Sequence, residues 1–418
     1  MVAPIAAIRP KSRVYASLPS WLLSAGGVAP TLDIDFVNDR AWSNSALVSI
    51  SALLSCTRAS TGYYLKADGT LQNFSSNTLR YGTNGLLVEE ARTNVLKQSQ
   101  TFDNASWGKG NVTVSADAAV APDGTTTADL YYPNSNGSLR TIYQLDGTGK
   151  VLSVYAKMSG VRWLYFMNVS DSAGAVWFDL QNGAVGTVAG GYTASIQALA
   201  NGWYRCIVIN ASAFAYFDAG LADADNSTTI TKSGTNGIYL WGAQSENAAF
   251  ATSYIPTTSS GATRAADSVT LNSVGSYLVA SAGSAYLQTG TILGGSNVTN
   301  PNLLPINISA GTLLYAHNSS GATASIDAYN GSALLDGPDI SMATLGSAAQ
   351  KMAIAWATSR RAVSLNGGAA ITDANGIGTV SELGIGKASG FATANGTFLR
   401  VALWSSQISD GNLAALTA

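Results

Sequence analysis

The residues of this chain best equipped for chemistry are carboxylates and aromatic rings, and both crowd its middle third. Asp218, Asp223 and Asp225 follow the run Phe214-Ala215-Tyr216-Phe217 at the close spacing of a loop. Hard oxygen donors so placed, completed by Asn226 and loop carbonyls, could enclose a structural Ca²⁺; the plainer reading of the same pattern is a solvated turn. Trp107, Trp163, Tyr165, Trp177, Trp203, Tyr204, Tyr216 and Trp241 occupy the same region. An indole or phenol packs against the C–H face of a sugar while Asn, Asp and Gln bond its hydroxyls, so the rings are the better ligand candidates. Alternation in a strand sends the neighbours in Trp163-Leu164-Tyr165 and Trp203-Tyr204-Arg205 to opposite faces, and some rings must therefore be core. Trp163, Tyr131, Tyr132 and Tyr216 are expected to be the exposed, sugar-contacting set.

Covalent catalysis has little to work with. The single histidine, His317, follows Leu313-Leu314-Tyr315 with no metal-ligand spacing and no nucleophile motif around it. Serine is abundant, but no Gly-x-Ser-x-Gly elbow stands between a strand and a helix. Glycoside hydrolysis needs only two carboxyl groups roughly 5 to 10 Å apart. Asp33 and Asp35 share one face of an alternating strand, expected to be the solvent face. No catalytic residue is expected, and a glycan hydrolase is the least favoured reading.

The elements that must position these side chains read as strands. A chain of 418 residues exceeds one hydrophobic core, so two or three domains are expected. Charged residues make up 11% and glycine occupies 43 positions, a balance suited to β structure with Gly, Ser, Thr and Asn loops rather than to disorder or a coiled coil. Short apolar runs such as 151–156, 163–167, 175–180, 203–209 and 237–241 are separated by Pro122-Asp123-Gly124, Gln181-Asn182-Gly183 and Ala200-Asn201-Gly202. The fold is expected to be all-β: two antiparallel β-sandwich or jelly-roll modules, 96–260 and 261–418, with an extended arm over 1–30. Residues 31–95 form a β-hairpin segment, either independent or lending strands to the second sandwich. Within it Tyr63 to Leu71 reads as a hairpin turning at Asp68-Gly69, and Thr83-Asn84-Gly85 as another turn. Near the end, Phe398 to Trp404 reads as a strand and Ile408 to Leu416 as a short helix capped by Ser409. That order resembles the close of a laminin-G or concanavalin-A-like sandwich. No heptad run or low-complexity tract suggests a fibre shaft.

The first thirty residues hold Pro4, Pro10, Pro19 and Pro30 around the apolar cluster Leu18, Trp21, Leu22 and Leu23. Proline at this density predicts an extended arm whose apolar side chains either pack back on the protein or dock into another one. Arg9, Lys11 and Arg13 precede an apolar stretch broken by Pro19, Ser20 and Ser24, so no secretory signal is expected. No run of about 20 apolar residues predicts a membrane span. Net charge is −2, with 22 basic and 24 acidic residues and no Lys/Arg run to follow a phosphate backbone, and nucleic-acid binding is not expected. Cys56 and Cys206 lie in different predicted modules and read as small buried apolar residues rather than a disulfide.

Gly85-Leu86-Leu87-Val88-Glu89-Glu90-Ala91-Arg92-Thr93-Asn94, followed by Phe102-Asp103-Asn104-Ala105-Ser106-Trp107, resembles the linker between modules in structural proteins of tailed-bacteriophage particles. Leu32 to Phe36 and Arg58-Ala59-Ser60-Thr61-Gly62-Tyr63-Tyr64 resemble the opening segment of such proteins. Trp241 to Glu246, Thr252 to Thr258 and Thr263-Arg264-Ala265-Ala266-Asp267 resemble the close of their middle module. The resemblance covers about 31 to 270 and implies concanavalin-A-like and carbohydrate-binding-module-like sandwiches on a tail fibre, spike or capsid decoration. It implies a virion location after assembly in the bacterial cytoplasm, contact with other virion proteins through the arm, a host-surface glycan as ligand and a homo-oligomer, a trimer being favoured. A purely architectural adaptor is the alternative. The signature itself reads as a hinge, with Leu86 to Val88 a buried strand, Glu89, Glu90, Arg92 and Asn94 fixing the exit of the chain, and Trp107 anchoring the next sandwich.

Overall fold

The computed structural model describes residues 18–167, 174–279, 281–294, 306–308, 312–319, 323–330, 333–335, 339–341, 349–374, 380–386 and 393–418. They divide into two compact units, one built from Met1–Cys56, Tyr81–Val88 and Ser268–Ala418, the other from Thr57–Arg80 and Glu89–Asp267. Segment 31–95 is thus shared out: 31–56 and 81–88 go with the C-terminal strands, 57–80 and 89–95 with the middle ones. The fold is all-β, an assembly of antiparallel sheets stacked as sandwiches.

In the middle unit two six-stranded sheets face each other. One runs in the order Gly108–Gly110, Thr141–Leu145, Tyr216–Ala222, Trp163–Met167, Ala175–Asp179 and Ala184–Val188. The other runs Val112–Ala119, Ala128–Pro133, Gly237–Glu246, Val151–Ser159, Tyr204–Ile209 and Thr193–Ala198. Alternation sends Ile142, Leu164, Phe166, Val176, Phe178, Phe217, Ala219 and Leu221 inward from the first sheet. Val154, Cys206, Val208, Ile238 and Leu240 meet them from the second, with Trp107 sealing the core beside Phe102 and Phe217. The outer face of the second sheet is covered by the hairpin Gly62–Leu65/Leu71–Phe74, whose Tyr63 and Leu71 pack on Tyr155, Trp203, Trp241 and Tyr254. Asp68-Gly69 lies within this turn, but the strands close at Leu65 and Leu71, so the loop spans 66–70. Gly69 adopts the left-handed conformation there, φ 78°.

The C-terminal unit has one large sheet whose main path is Ala46–Val48, Arg40–Ser43, Leu32–Asp35, Asn395–Trp404, Gly283–Gly294, Lys351–Ala357, Arg360–Leu365 and Ile371–Asp373. Gly85–Val88 joins it through Asn395–Trp404 and turns back on Tyr81–Gly82 through Thr83-Asn84. A second sheet links Ala333–Leu335, Thr323–Asn330, Thr312–Ser319, Ile306–Ile308, Val380–Ile385, Ser268–Leu271 and Leu54–Thr57. His317 belongs to the strand Thr312–Ser319. The expected last helix forms at Asp410–Thr417, with the Ser409 hydroxyl accepting from the Asn412 N–H at 3.3 Å.

The extended arm is corrected where it is described. Residues 1–17 lie outside the described residues, and Ser20–Gly26 is a helix. Proline does not prevent it, because Pro19 stands ahead of the first turn, where no N–H is needed, and its carbonyl accepts from Leu22 and Leu23. Gly27, in the left-handed region at φ 73°, ends it. Leu18 and Leu22, one turn apart, are buried with Tyr286, Ala402, Trp404, Leu413 and Leu416 of their own unit. Of the four residues expected to form an attachment surface, Trp21 and Leu23 stay open, each 39% exposed. Asp33 and Asp35 do share a face, but it is buried rather than solvated. Arg400 donates to Asp33 at 2.7 and 2.6 Å and to Asp35 at 3.2 Å, and Arg40 reaches Asp33 at 3.1 Å. They are ion-pair partners of Arg400 and Arg40.

Candidate functional site: a cleft floored by a carboxyl

The outer face of the first sheet of the middle unit carries a cleft. Register places Tyr143 opposite Asp218 and Leu145 opposite Tyr216, while Tyr165 stands opposite Gly220 on the next strand. Period-two alternation, having sent Ile142, Phe217, Ala219, Leu164 and Phe166 to the core, turns Thr141, Tyr143, Tyr216, Asp218, Tyr165 and Met167 the other way. Leu139, Thr141, Tyr143, Met167, Tyr216 and Asp218 line a cleft of about 310 Å³. The Tyr143 and Tyr216 rings meet edge to face, 6.2 Å apart at 80°.

Two glycines make room for this arrangement. A Cβ on Gly220 would sit 2.1 Å from the Tyr165 ring, and one on Gly108 would sit 2.3 Å from the Tyr143 ring. Leu139 at the rim has φ 55°, a conformation bulky residues rarely adopt, held by an N–H bond to the Thr228 carbonyl.

The floor is electrostatically unusual. Asp218 is 4% exposed, and among the described residues its Oδ1 has no hydrogen-bond partner. Burial raises its pKa to about 7, against the opposing effect of a hydrogen bond from the Thr141 side chain. The Tyr165 hydroxyl is likewise buried and unpartnered, and burial followed by the nearby Asp218 pushes its pKa up. A buried acceptor left open at the bottom of a cavity is costly unless a ligand completes it.

The other expected site residues fall elsewhere. Tyr131 is fully buried in the sandwich core, so it is corrected to a packing residue: on the strand Ala128–Pro133 its face, not that of Tyr132, points between the sheets. Tyr132 is half-buried on the opposite sheet, away from the cleft lining. Trp163 is half-buried on the same sheet as the cleft, beneath the Arg162 guanidinium at 5.1 Å, and does not line it. Tyr216 does.

The calcium reading is corrected. Asp218 belongs to the strand Tyr216–Ala222, not to a loop. Asp223 accepts from the Thr231 N–H and hydroxyl at 2.9 and 2.8 Å, and Asp225 from the Thr187 N–H and hydroxyl at 2.8 and 3.0 Å. Asp223 thus closes its own loop, while Asp225 ties that loop to the strand Ala184–Val188. Among the described residues no group of three or more His, Cys, Asp or Glu side chains is placed to hold a metal ion.

Thr141, Tyr143, Met167 and Leu139 are cleft residues that sequence reasoning missed. The available signal was the alternation in Tyr216-Phe217-Asp218, which puts the phenol and the carboxyl on one face.

No family model matches the chain, and no curated protein matches it. Among solved structures, the CBM40 domain of the Ruminococcus gnavus IT-sialidase, bound to alpha2,3 sialyllactose, is similar at 14% identity. That match covers 33% of this chain and 83% of that one, with a TM-score of 0.27. Domain 4 of an extracellular arabinanase from Geobacillus stearothermophilus, in complex with arabinotriose, aligns at 11% identity over 40% of this chain and 82% of that one, with a TM-score of 0.31. Domains LG4-5 of the mouse laminin alpha1 chain align at 11% identity over 78% and 91%, with a TM-score of 0.23. All three scores are low, and the fold assignment rests on the sheets themselves.

Proposed function

We propose that this chain is a non-catalytic glycan-recognition protein whose cleft on the middle unit holds a sugar. The observation that carries the reading is the unpartnered Oδ1 of Asp218 on the floor of an aromatic cleft. A sugar hydroxyl donating to that oxygen completes its hydrogen bonding, and the Tyr216 and Tyr143 rings offer faces and edges to the ring C–H groups. Among the described residues the lining carries one carboxyl, where glycoside hydrolysis uses two, which supports binding over cleavage.

A small open cleft binds weakly, and affinity then comes from many copies acting together. That requirement fits display on a phage particle, as a tail-fibre, spike or capsid-decoration component. The support for this location is the sequence signature from Gly85 to Trp107 and its companions around Arg58 and Asp267.

A glycan microarray probed with the full chain tests the binding. Oligosaccharides should be retained by the native protein and lost with Asp218→Ala and with Tyr216→Ala. Absence of any retained glycan, or equal retention by both variants, would overturn the reading. Mass spectrometry of purified phage particles tests the location, which fails if the chain is absent from them.

A further inference from the structure

We infer that the cleft is selective for charge: it accepts a neutral sugar, with a hydroxyl on Asp218 and an apolar ring face on Tyr216, and turns away sialic, uronic and sulfated sugars. This rests on the glycan reading of the same cleft and fixes the class of ligand.

The lining residues Leu139, Thr141, Tyr143, Met167, Tyr216 and Asp218 include no lysine, arginine or histidine. The nearest basic residues by strand position are already engaged. Arg140, between Leu139 and Thr141, spends its guanidinium on the Ser135, Asn136 and Ser138 carbonyls and the Ser135 hydroxyl. Lys109, on the strand paired with Thr141–Leu145, donates to the Asn104 and Trp107 carbonyls at 3.0 and 3.2 Å. A carboxylate or sulfate entering the cleft therefore finds no basic side chain in the lining to pair with, although the charge of Arg140 is felt at Tyr165 on the floor.

What it meets instead is an acceptor. Asp218 Oδ1 needs a donor, and an ionised ligand group brings only acceptor oxygens. Two acceptors facing each other in a partly desolvated cleft repel, and this clash against the wrong ligand supplies specificity. The remaining wall, formed by Leu139, Met167 and the two tyrosine rings, suits the C–H face of a pyranose or the methyl group of a 6-deoxyhexose.

The test pairs neutral and anionic sugars that otherwise match: lactose against sialyllactose, and a glucose-terminated against a glucuronate-terminated oligosaccharide. Titration calorimetry on the full chain at pH 8 measures each. The neutral member of each pair should bind at least tenfold more tightly, and Asp218→Asn should narrow the gap at least fivefold, with far-UV circular dichroism confirming that the variant is folded. Anionic sugars binding as well as neutral ones, or a gap unchanged by Asp218→Asn, overturns the charge selectivity while leaving the cleft a glycan site. If no member of either pair binds, or if Tyr216→Ala binds both members like the native chain, the cleft itself is wrongly assigned and the selectivity falls with it.

Discussion

Arg80 donates through Nη2 to Oδ2 of Asp267 at 2.5 Å, joining two fully buried side chains 187 residues apart in sequence. Arg58 reaches the other oxygen of the same carboxylate at 2.8 Å, and the Glu89 N–H donates to it at 2.9 Å. Glu89 in turn pairs with Arg80 at 2.8 Å and Arg264 at 3.5 Å, and accepts from the Ser253 N–H and hydroxyl at 2.7 and 2.6 Å. These residues come from the separate stretches around Arg58, Glu89 and Asp267, so the hinge signature is one buried ion cluster. They also stand at or beside the four ends of the two segments that build the middle unit, Thr57–Arg80 and Glu89–Asp267.

Removing the shared carboxylate with Asp267→Ala leaves Arg58 and Arg80 buried and undercompensated. The expected cost is about 3 to 5 kcal/mol, the usual penalty for breaking a buried pair from one side. Urea denaturation measures it, and a midpoint unchanged from the native chain contradicts the cluster's role.

Acid should loosen the same cluster. Burial alone would raise the pKa of Glu89, but Arg264, Arg80 and the bonds from Ser253 outweigh it and hold the value to about 2. Its folded pKa is thus below its unfolded one. The stability it contributes is present above the ordinary carboxylate range and is lost as pH falls through that range toward 2. Thermal melts between pH 6 and 2.5 should show the native Tm falling, with a smaller fall in Glu89→Gln.

Asp218 should act in the opposite sense. Its pKa, raised to about 7 by burial with Thr141 opposing, lies above the unfolded value, so its contribution is full below the unfolded pKa and is lost as pH rises through about 7. Asp129, raised to about 6 by burial despite backbone bonds from Asp117 and Phe102, adds a slope of the same sign. Melts at pH 5, 6, 7 and 8 should show Asp218→Asn losing the decline between pH 6 and 7 and falling less steeply than the native chain below pH 6, where Asp129 still contributes.

Gly220→Ala forces a methyl group into the Tyr165 ring. Overpacking of this kind costs about 1 to 3 kcal/mol, and the displaced ring should also deform the cleft beside it. Chemical denaturation and glycan titration together check this; a variant as stable and as tight as the native chain counts against the register given for the two strands.

On the N-terminal helix, Leu22→Ala should cost about 2 to 5 kcal/mol and Leu23→Ala less than about 0.5 kcal/mol. Leu22 is buried against Trp404 and Leu413, and Leu23 faces outward. Equal effects measured by denaturation would mean that the helix is turned differently.

Local chemistry was legible in the sequence: the strand runs, the turn at Thr83-Asn84 and the Ser409 cap all depend on neighbours a few residues apart. The cleft was only half legible. Tyr216 and Asp218 both stand out in the sequence, but an aspartate followed by two more reads as a loop residue, and its partner Tyr143 depends on a strand register that no local pattern encodes. Asp33 and Asp35 read as solvent-facing because their counter-charge, Arg400, lies 367 and 365 residues away. In Tyr131-Tyr132 alternation requires one ring on each face, and only the position of the facing sheet decides which one is buried.

Glu89 and Asp267 bond each other's backbones, the Asp267 N–H to the Glu89 carbonyl at 2.8 Å, so the segment they bound starts and stops at one place. Such a stretch is a cassette. An exchange of it would leave the chain on either side unchanged in length, provided the incoming piece brings a glutamate and an aspartate for Arg58 and Arg80 and an apolar sheet face for Tyr63 and Leu71.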